Sequence, residues 1–400
     1  MNSKAVLIFL LPILLRSLLI PFPHSGEGNH HGSKTAYGGD YEAQRHWMEI
    51  TLHLPLFRWY KYDVSYWGLD YPPLIAYGSY LMGYMSQKLV GEESVALFDS
   101  RGYEDPIHKV FMRSTVMFWD VFLYFPILYV ISKRLGKGYQ DKTKTLQIWL
   151  GAVIQPCLIA VDNGHFQYNN VCLGLALGAF HFMTLESDIG VYDVIGSIFF
   201  CLALNWKQMA LYYAPAVFAF LLGKCFRTTN ASTSTSTRTS DYYMNVIRNI
   251  AILGIAVIAT FFTLWSPFYF YRQEPSEGIL EVFGPIVTRI FPLQRGLFEG
   301  KVANVWCVAN IKPISIRERI PSSLQPLCAL GLTCAMMMPF CILLFIIGRQ
   351  NARPVDKLKA LLWGSAGSSL SFFLASFQVH EKVCVIKARL RNEYISYLIK

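Results

Sequence analysis

The sequence predicts an all-α polytopic membrane protein, and three features carry that prediction. Of its 400 residues, 53% are hydrophobic and only 16% charged, with a mean hydropathy of +0.33. A soluble domain carries about 25% charged residues, so the deficit fits a lipid-facing surface. Nine apolar stretches recur along the chain, and its basic residues gather in short clusters between them. Net charge is +10. A nucleic-acid partner would account for that excess, but the clustering fits membrane topology signals better. The expected counter-charges are anionic head groups of the lipid bilayer or phosphorylated substrates, with no nucleic acid.

In chain order, the apolar stretches are 5–22, 110–132, 146–162, 169–185, 190–206, 208–223, 246–270, 325–348 and 358–378. A full crossing needs about 20 residues, and several of these are shorter. The first, AVLIFLLPILLRSLLIPF, is followed by PHSGEGNHH and not by a small-residue cleavage site. It reads as an uncleaved span in preference to a cleaved signal. The patch 74–85 (LIAYGSYLMGYM) is too short to cross and is expected at the interface. The whole chain, 1–400, reads as one membrane-embedded unit with loops.

Sidedness follows from lysine and arginine. The loops 133–144, 224–245 and 349–359 are basic, and short basic loops stay cytoplasmic. Counting spans places all three on one side together with the N-terminus. The opposite side receives the long first loop 23–109, the junction 162–169, the turn 206–208, the loop 271–324 and the tail after 378. The Ser/Thr-rich segment 228–240 is expected to be a disordered cytosolic loop. Its sequon at Asn230 is therefore expected to stay unglycosylated. Most of the nine cysteines lie in apolar runs, and no CxxC pair marks a zinc or redox site.

Six polar motifs fall on the side opposite the basic loops. GDYEAQRHWMEIT (39–51) places Ala43, Trp47, Ile50 and Leu54 on one helical face and Glu42, Arg45, His46 and Glu49 on the other. This is an amphipathic, interfacial helix. Asp40 precedes it at the cap position. It reads either as a simple cap or as a carboxylate held ionised by the helix dipole, the state a general base requires. In YWGLDYPPL (66–74), Asp70 either bonds the turn or meets a sugar hydroxyl beside Tyr66 and Trp67, ahead of the stiff Pro72-Pro73. VDNGHFQYNN (161–170) is dense in hydrogen-bonding groups at a membrane edge. His165 with Asp162 would give only two metal ligands, too few for a site.

Lys207 and Gln208 interrupt a nearly continuous apolar region. Ionisable residues at membrane depth are functional candidates, while snorkelling is the plain alternative. Arg295 and Lys301 (in 291–307), and His380 and Lys382 (in 376–382), either receive a phosphate or anchor the chain at the interface.

Taken together, GDYEAQRHWMEIT, YWGLDYPPL, SRGYE, GHFQYN, KQM-x-LY, RGLFE-x-KVAN-x-W and SFQVHEK resemble, in the same order, the motifs of the ALG6/ALG8 glucosyltransferase family, over about residues 37–382. The KQM form and the first motif resemble the ALG6 branch. The resemblance implies a GT-C type enzyme of the endoplasmic reticulum membrane with its active site on the lumenal side. It implies transfer of glucose from dolichyl phosphate glucose to Man9GlcNAc2-diphosphodolichol, with inversion and no metal or other cofactor.

The resemblance also makes Asp40 the base, and Arg295, Lys301, His380 and Lys382 the candidates for the donor phosphate. Glu42, Arg45, His46, Asp70, Tyr71, His165, Gln167, Lys207 and Gln208 are then expected to bind substrate. The chain departs from the family pattern at Gly300, where an acidic residue is usual, and in GNHHGSKTAYG ahead of Asp40. It also departs at its end, VCVIKARLRNEYISYLIK, where the family continues with further spans. That end reads as a truncation. It raises the alternative of an inactive relative with a binding role. A lipid or sugar transporter is the other alternative, although no internal repeat or midplane cluster of polar residues favours it.

Overall fold

The computed structural model describes residues 3–28, 39–137, 142–227, 239–291, 297–298 and 304–377. The sequon at Asn230 and the candidates Arg295, Lys301, His380 and Lys382 lie outside the described residues. Among the described residues the fold is helical, without a strand.

The principal helices are α1 (Ser3–Ser17), α2 (Gly39–His53), α3 (Pro73–Leu89), α4 (Pro106–Trp119), α5 (Phe125–Lys137) and α6 (Lys142–Val153). They are followed by α7 (Asn169–Met183), α8 (Val191–Trp206), α9 (Ala214–Cys225), α10 (Thr239–Phe270), α11 (Ile279–Ile290), α12 (Gln325–Arg349) and α13 (Pro354–Ala375). Two wide π-helical segments continue the bundle, Asp120–Tyr124 between α4 and α5, and Ile159–Phe166 after α6. Such segments are uncommon and recur at functional places.

Among the described residues, four helical stretches are long and apolar enough to cross a bilayer: Pro106–Gly136, Thr143–Phe166, Ser240–Phe270 and Gln325–Arg349. They coincide with four of the spans expected from sequence. α7 and α8 are apolar but shorter. The expected span at 208–223 is split into a 3-10 turn (Gln208–Tyr213) and α9. The protein is a multi-pass membrane protein.

The chain divides into two compact units. The first comprises Met1–Ala176, Cys201–Gln208 and Ala259–Pro292. In it α2 packs along α3, and α5 packs along α6. The second comprises Leu177–Phe200, Met209–Ile258 and Leu293–Lys400, and within it α9, α12 and α13 form a tight group. Gly223 of α9 lies directly against the Phe345 backbone of α12. A side chain there would separate the two helices, and close approach through small residues is how helices associate without a hydrophobic drive.

Lys224, counted among the cytosolic topology charges, is 1% exposed and ion-paired to the equally buried Asp193. Its ammonium also donates to the Met183 carbonyl at 3.0 Å. A pair closed in this way is satisfied inside the protein, and it does not act as a free charge at the membrane surface.

Candidate active site

The site is built in the first unit, on the first turn of α2. Gly39 starts that helix at φ +61°, a conformation that side chains other than glycine adopt at a cost. It also sits against Ser25, leaving no room for a Cβ. Ser25 accepts the Asp40 amide at 3.3 Å and donates its own amide to the His165 carbonyl at 3.4 Å. The turn His24–Gly28 therefore ties the start of α2 to the end of the π-helical segment. The turn is itself fixed: His24 stacks on Tyr41 with ring centres 3.7 Å apart, Lys109 pairs with Glu27 at 2.9 Å, and Glu104 accepts the Gly28 amide at 2.8 Å.

α2 has the expected helical period, but protein covers both of its faces. Glu42, Arg45, His46 and Glu49 are all at most 1% exposed, so their charges answer one another. Arg45 donates to Glu42 at 2.6 and 2.7 Å, to Glu49 at 2.8 Å and to Ser100 at 2.5 Å. Tyr66 and the Gly102 amide add donors to Glu42, at 2.8 and 3.2 Å. Glu49 also receives the Phe98 amide at 2.9 Å and meets His46 Nδ1 at 3.1 Å.

Burial pushes both carboxylates up, but the Arg45 charge and these donors outweigh it, and both end low, Glu49 at about 2. The motif SRGYE is thus the lid of this network. Ser100 and Gly102 close over α2, Glu104 holds the Gly28 turn, and Arg101 pairs with Asp63 at 2.6 Å while lying over the Tyr66 ring.

Asp40 is in the first turn of α2, not ahead of it. Its Oδ2 lies 2.6 Å from His165 Nε2, with the Asp40 and His165 side chains 19% and 41% exposed. Asp162, considered from sequence as the partner of His165, faces elsewhere. Its two oxygens accept from the Asn169 amide group and the Asn170 backbone, both at 2.7 Å. No three His, Cys, Asp or Glu side chains converge as a metal site among the described residues.

Lys207, 2% exposed, donates to Gln167 at 2.9 Å and to Asn169 at 2.7 Å, and lies 4.9 Å from the centre of the Tyr71 ring. Tyr71 packs edge-on against Trp47 at 4.9 Å. Burial raises its phenol well above the usual range, and the charges of Asp70, Asp40 and Asp162 raise it further, against a lowering hydrogen bond with Gln167.

Of the residues expected to bind substrate, His165 bonds Asp40, while Gln167 and Lys207 meet Tyr71, on which the charges of Asp40 and Asp70 act. Glu42, Arg45 and His46 are engaged in the network beneath α2. Gln208 turns its amide toward the Ile290 carbonyl at 3.4 Å. Sequence reasoning did not single out the His24–Gly28 turn. Its only local signal is the Ser25-Gly26 pair, which marks a turn without saying what the turn binds.

What the arrangement offers is a partly exposed carboxylate, fixed at a helix start and bonded to an imidazole, within electrostatic reach of a tyrosine that itself meets a buried cation. A family model described as the ALG6, ALG8 glycosyltransferase family matches residues 9–389. Proteins named dolichyl pyrophosphate Man9GlcNAc2 alpha-1,3-glucosyltransferase are similar over most of the chain. The one from Saccharomyces cerevisiae is 38% identical, over 95% of this chain and 63% of its own length. The one from Mus musculus is 39% identical, over 94% and 66%. The one from Gallus gallus is 38% identical, over 95% and 68%. The chain thus spans about two thirds of the curated relatives it matches.

Proposed function

The chain belongs to the ALG6, ALG8 glycosyltransferase family, and on that premise we propose that it transfers glucose from dolichyl phosphate glucose to Man9GlcNAc2-diphosphodolichol. The product carries the first α-1,3-glucose of the N-glycan precursor. The place is the lumenal face of the endoplasmic reticulum membrane, the side to which span counting assigns the loops 23–109 and 271–324. The observation that carries this reading is the Asp40 carboxylate, partly exposed, fixed at the start of α2, bonded to His165 and close enough to Tyr71 for its charge to act on that phenol.

The chemistry needs one base. The mannose 3-hydroxyl oxygen attacks the anomeric carbon of glucose as its proton passes to Asp40. The bond from that carbon to the phosphate oxygen breaks, and dolichyl phosphate leaves with the electron pair. A β-linked donor then gives an α-linked product by direct displacement. A phosphate leaving group needs little protonation, so cations stabilising its charge suffice. Arg295, Lys301, His380 and Lys382 are the proposed candidates for that contact, and the mechanism calls for no metal.

Complementation of cells lacking this glucosyltransferase, read by the size of the lipid-linked glycan, tests the reading. The unmodified chain restores the glucosylated glycan. Asp40→Asn, lacking the base, falls by about 10²- to 10⁴-fold in rate. Equal restoration by both chains removes Asp40 as the base. A stably inserted unmodified chain that restores nothing favours the binding-role alternative.

A further inference from the structure

We propose that His165 is the positioning residue of Asp40, holding its carboxylate ionised and aimed at the acceptor hydroxyl. The proposal rests on the reading of Asp40 as the base. The two side chains meet at 2.6 Å although they lie 125 residues apart in sequence. An ionised carboxylate only accepts hydrogen bonds, so His165 Nε2 carries the proton and donates it. A donor on the charged form favours that form. The contact also removes one rotational freedom of the carboxylate before the substrate arrives, as base catalysis at a fixed oxygen requires.

The frame around the pair is stiffer than an incidental surface contact would need. Asp40 is held through Gly39 and Ser25, and His165 through the same Ser25, whose amide bonds its carbonyl. Beyond His165, Phe166 adopts φ +85°, a costly conformation for a residue with a side chain. It is fully buried and lies edge-on to Tyr41, at 5.2 Å. Asp162 and Lys207 then fix the backbone and side chains that follow, through Asn169, Asn170 and Gln167. Two segments remote in sequence and joined through Ser25 thus deliver one imidazole to one carboxylate. Strain kept at Phe166 is accounted for if that delivery is what the turn is for.

The test uses the full chain in lipid nanodiscs with dolichyl phosphate glucose and the Man9GlcNAc2 lipid. Loss of one preorganised donor lowers the turnover of His165→Ala by about 10²-fold, with KM for both substrates within about twofold. His165→Gln keeps an N–H donor and recovers about tenfold of that loss. A raised KM with unchanged kcat makes His165 a substrate contact and overturns the proposal, as does a glutamine variant no better than alanine.

Nitrogen-15 spectra of the histidines, assigned with His165→Gln, supply a readout independent of activity. The His165 Nε2–H signal is expected to shift in Asp40→Asn. An unshifted signal overturns the proposal even in a preparation that transfers no glucose. A preparation that shows the shift but transfers nothing overturns the glucosyltransferase reading alone.

Discussion

At the scale of single residues, the network under α2 makes a pH prediction. Glu49 sits at about 2 in the folded chain against an ordinary 4.5. A depressed carboxylate contributes stability that is complete above about pH 4.5 and is lost as pH falls toward 2. The melting temperature of the solubilised chain should therefore drop over that window. Glu49→Gln should be less stable at neutral pH and flatter in its acid dependence. Lys207→Met tests the second buried charge. Removing the ammonium leaves the oxygens of Gln167 and Asn169 short of a donor, and a loss of about 2–4 kcal/mol is expected in chemical unfolding. The start of α2 was legible from sequence to within a residue because an amphipathic run is a local signal, with Asp40 in its first turn and not before it. The bond from Asp40 to His165 was not, since no periodicity links residues 125 positions apart.

At the scale of elements, the start of α2 is the sensitive point. Gly39→Ala adds a Cβ to a left-handed residue pressed against Ser25. The conformation alone costs about 1–3 kcal/mol, and relief requires moving either Ser25 or Asp40. The variant is expected to insert normally but to lose most transfer activity, as measured by lipid-linked glycan size. Activity equal to that of the unmodified chain would show that the turn tolerates displacement. Helix periodicity revealed α2 correctly, yet a polar face looks the same in sequence whether it meets water or a charge network. The SRGYE segment, which closes that network, has no regular period to betray it.

At the scale of the whole molecule, hydropathy made the four long membrane helices legible, because length and apolarity are additive along the chain. The shorter runs are harder to read. α7 and α8 are too short to cross unaided, and Lys207 with Gln208 breaks the run before α9 into a 3-10 turn. The proposed sidedness has a direct check. Cysteine placed at the exposed position Ser65 should react with an impermeant maleimide only after the lumen is opened. Cysteine at the exposed Arg353 should react from the cytosol, both compared with the unmodified chain. The opposite pattern would invert the topology and place Asp40 away from a lumenal acceptor.

The wide turns of Ile159–Phe166 bear on which changes in length the chain can absorb. Deleting one residue there would let the backbone relax into an ordinary α-helix, locally the better-bonded state. It would also rotate what lies on one side of the deletion by about 100°, carrying His165 away from Asp40. Substitutions in this stretch that spare Asp162, His165 and Phe166 keep this register where shortening does not, and natural length variation should settle in the loops instead.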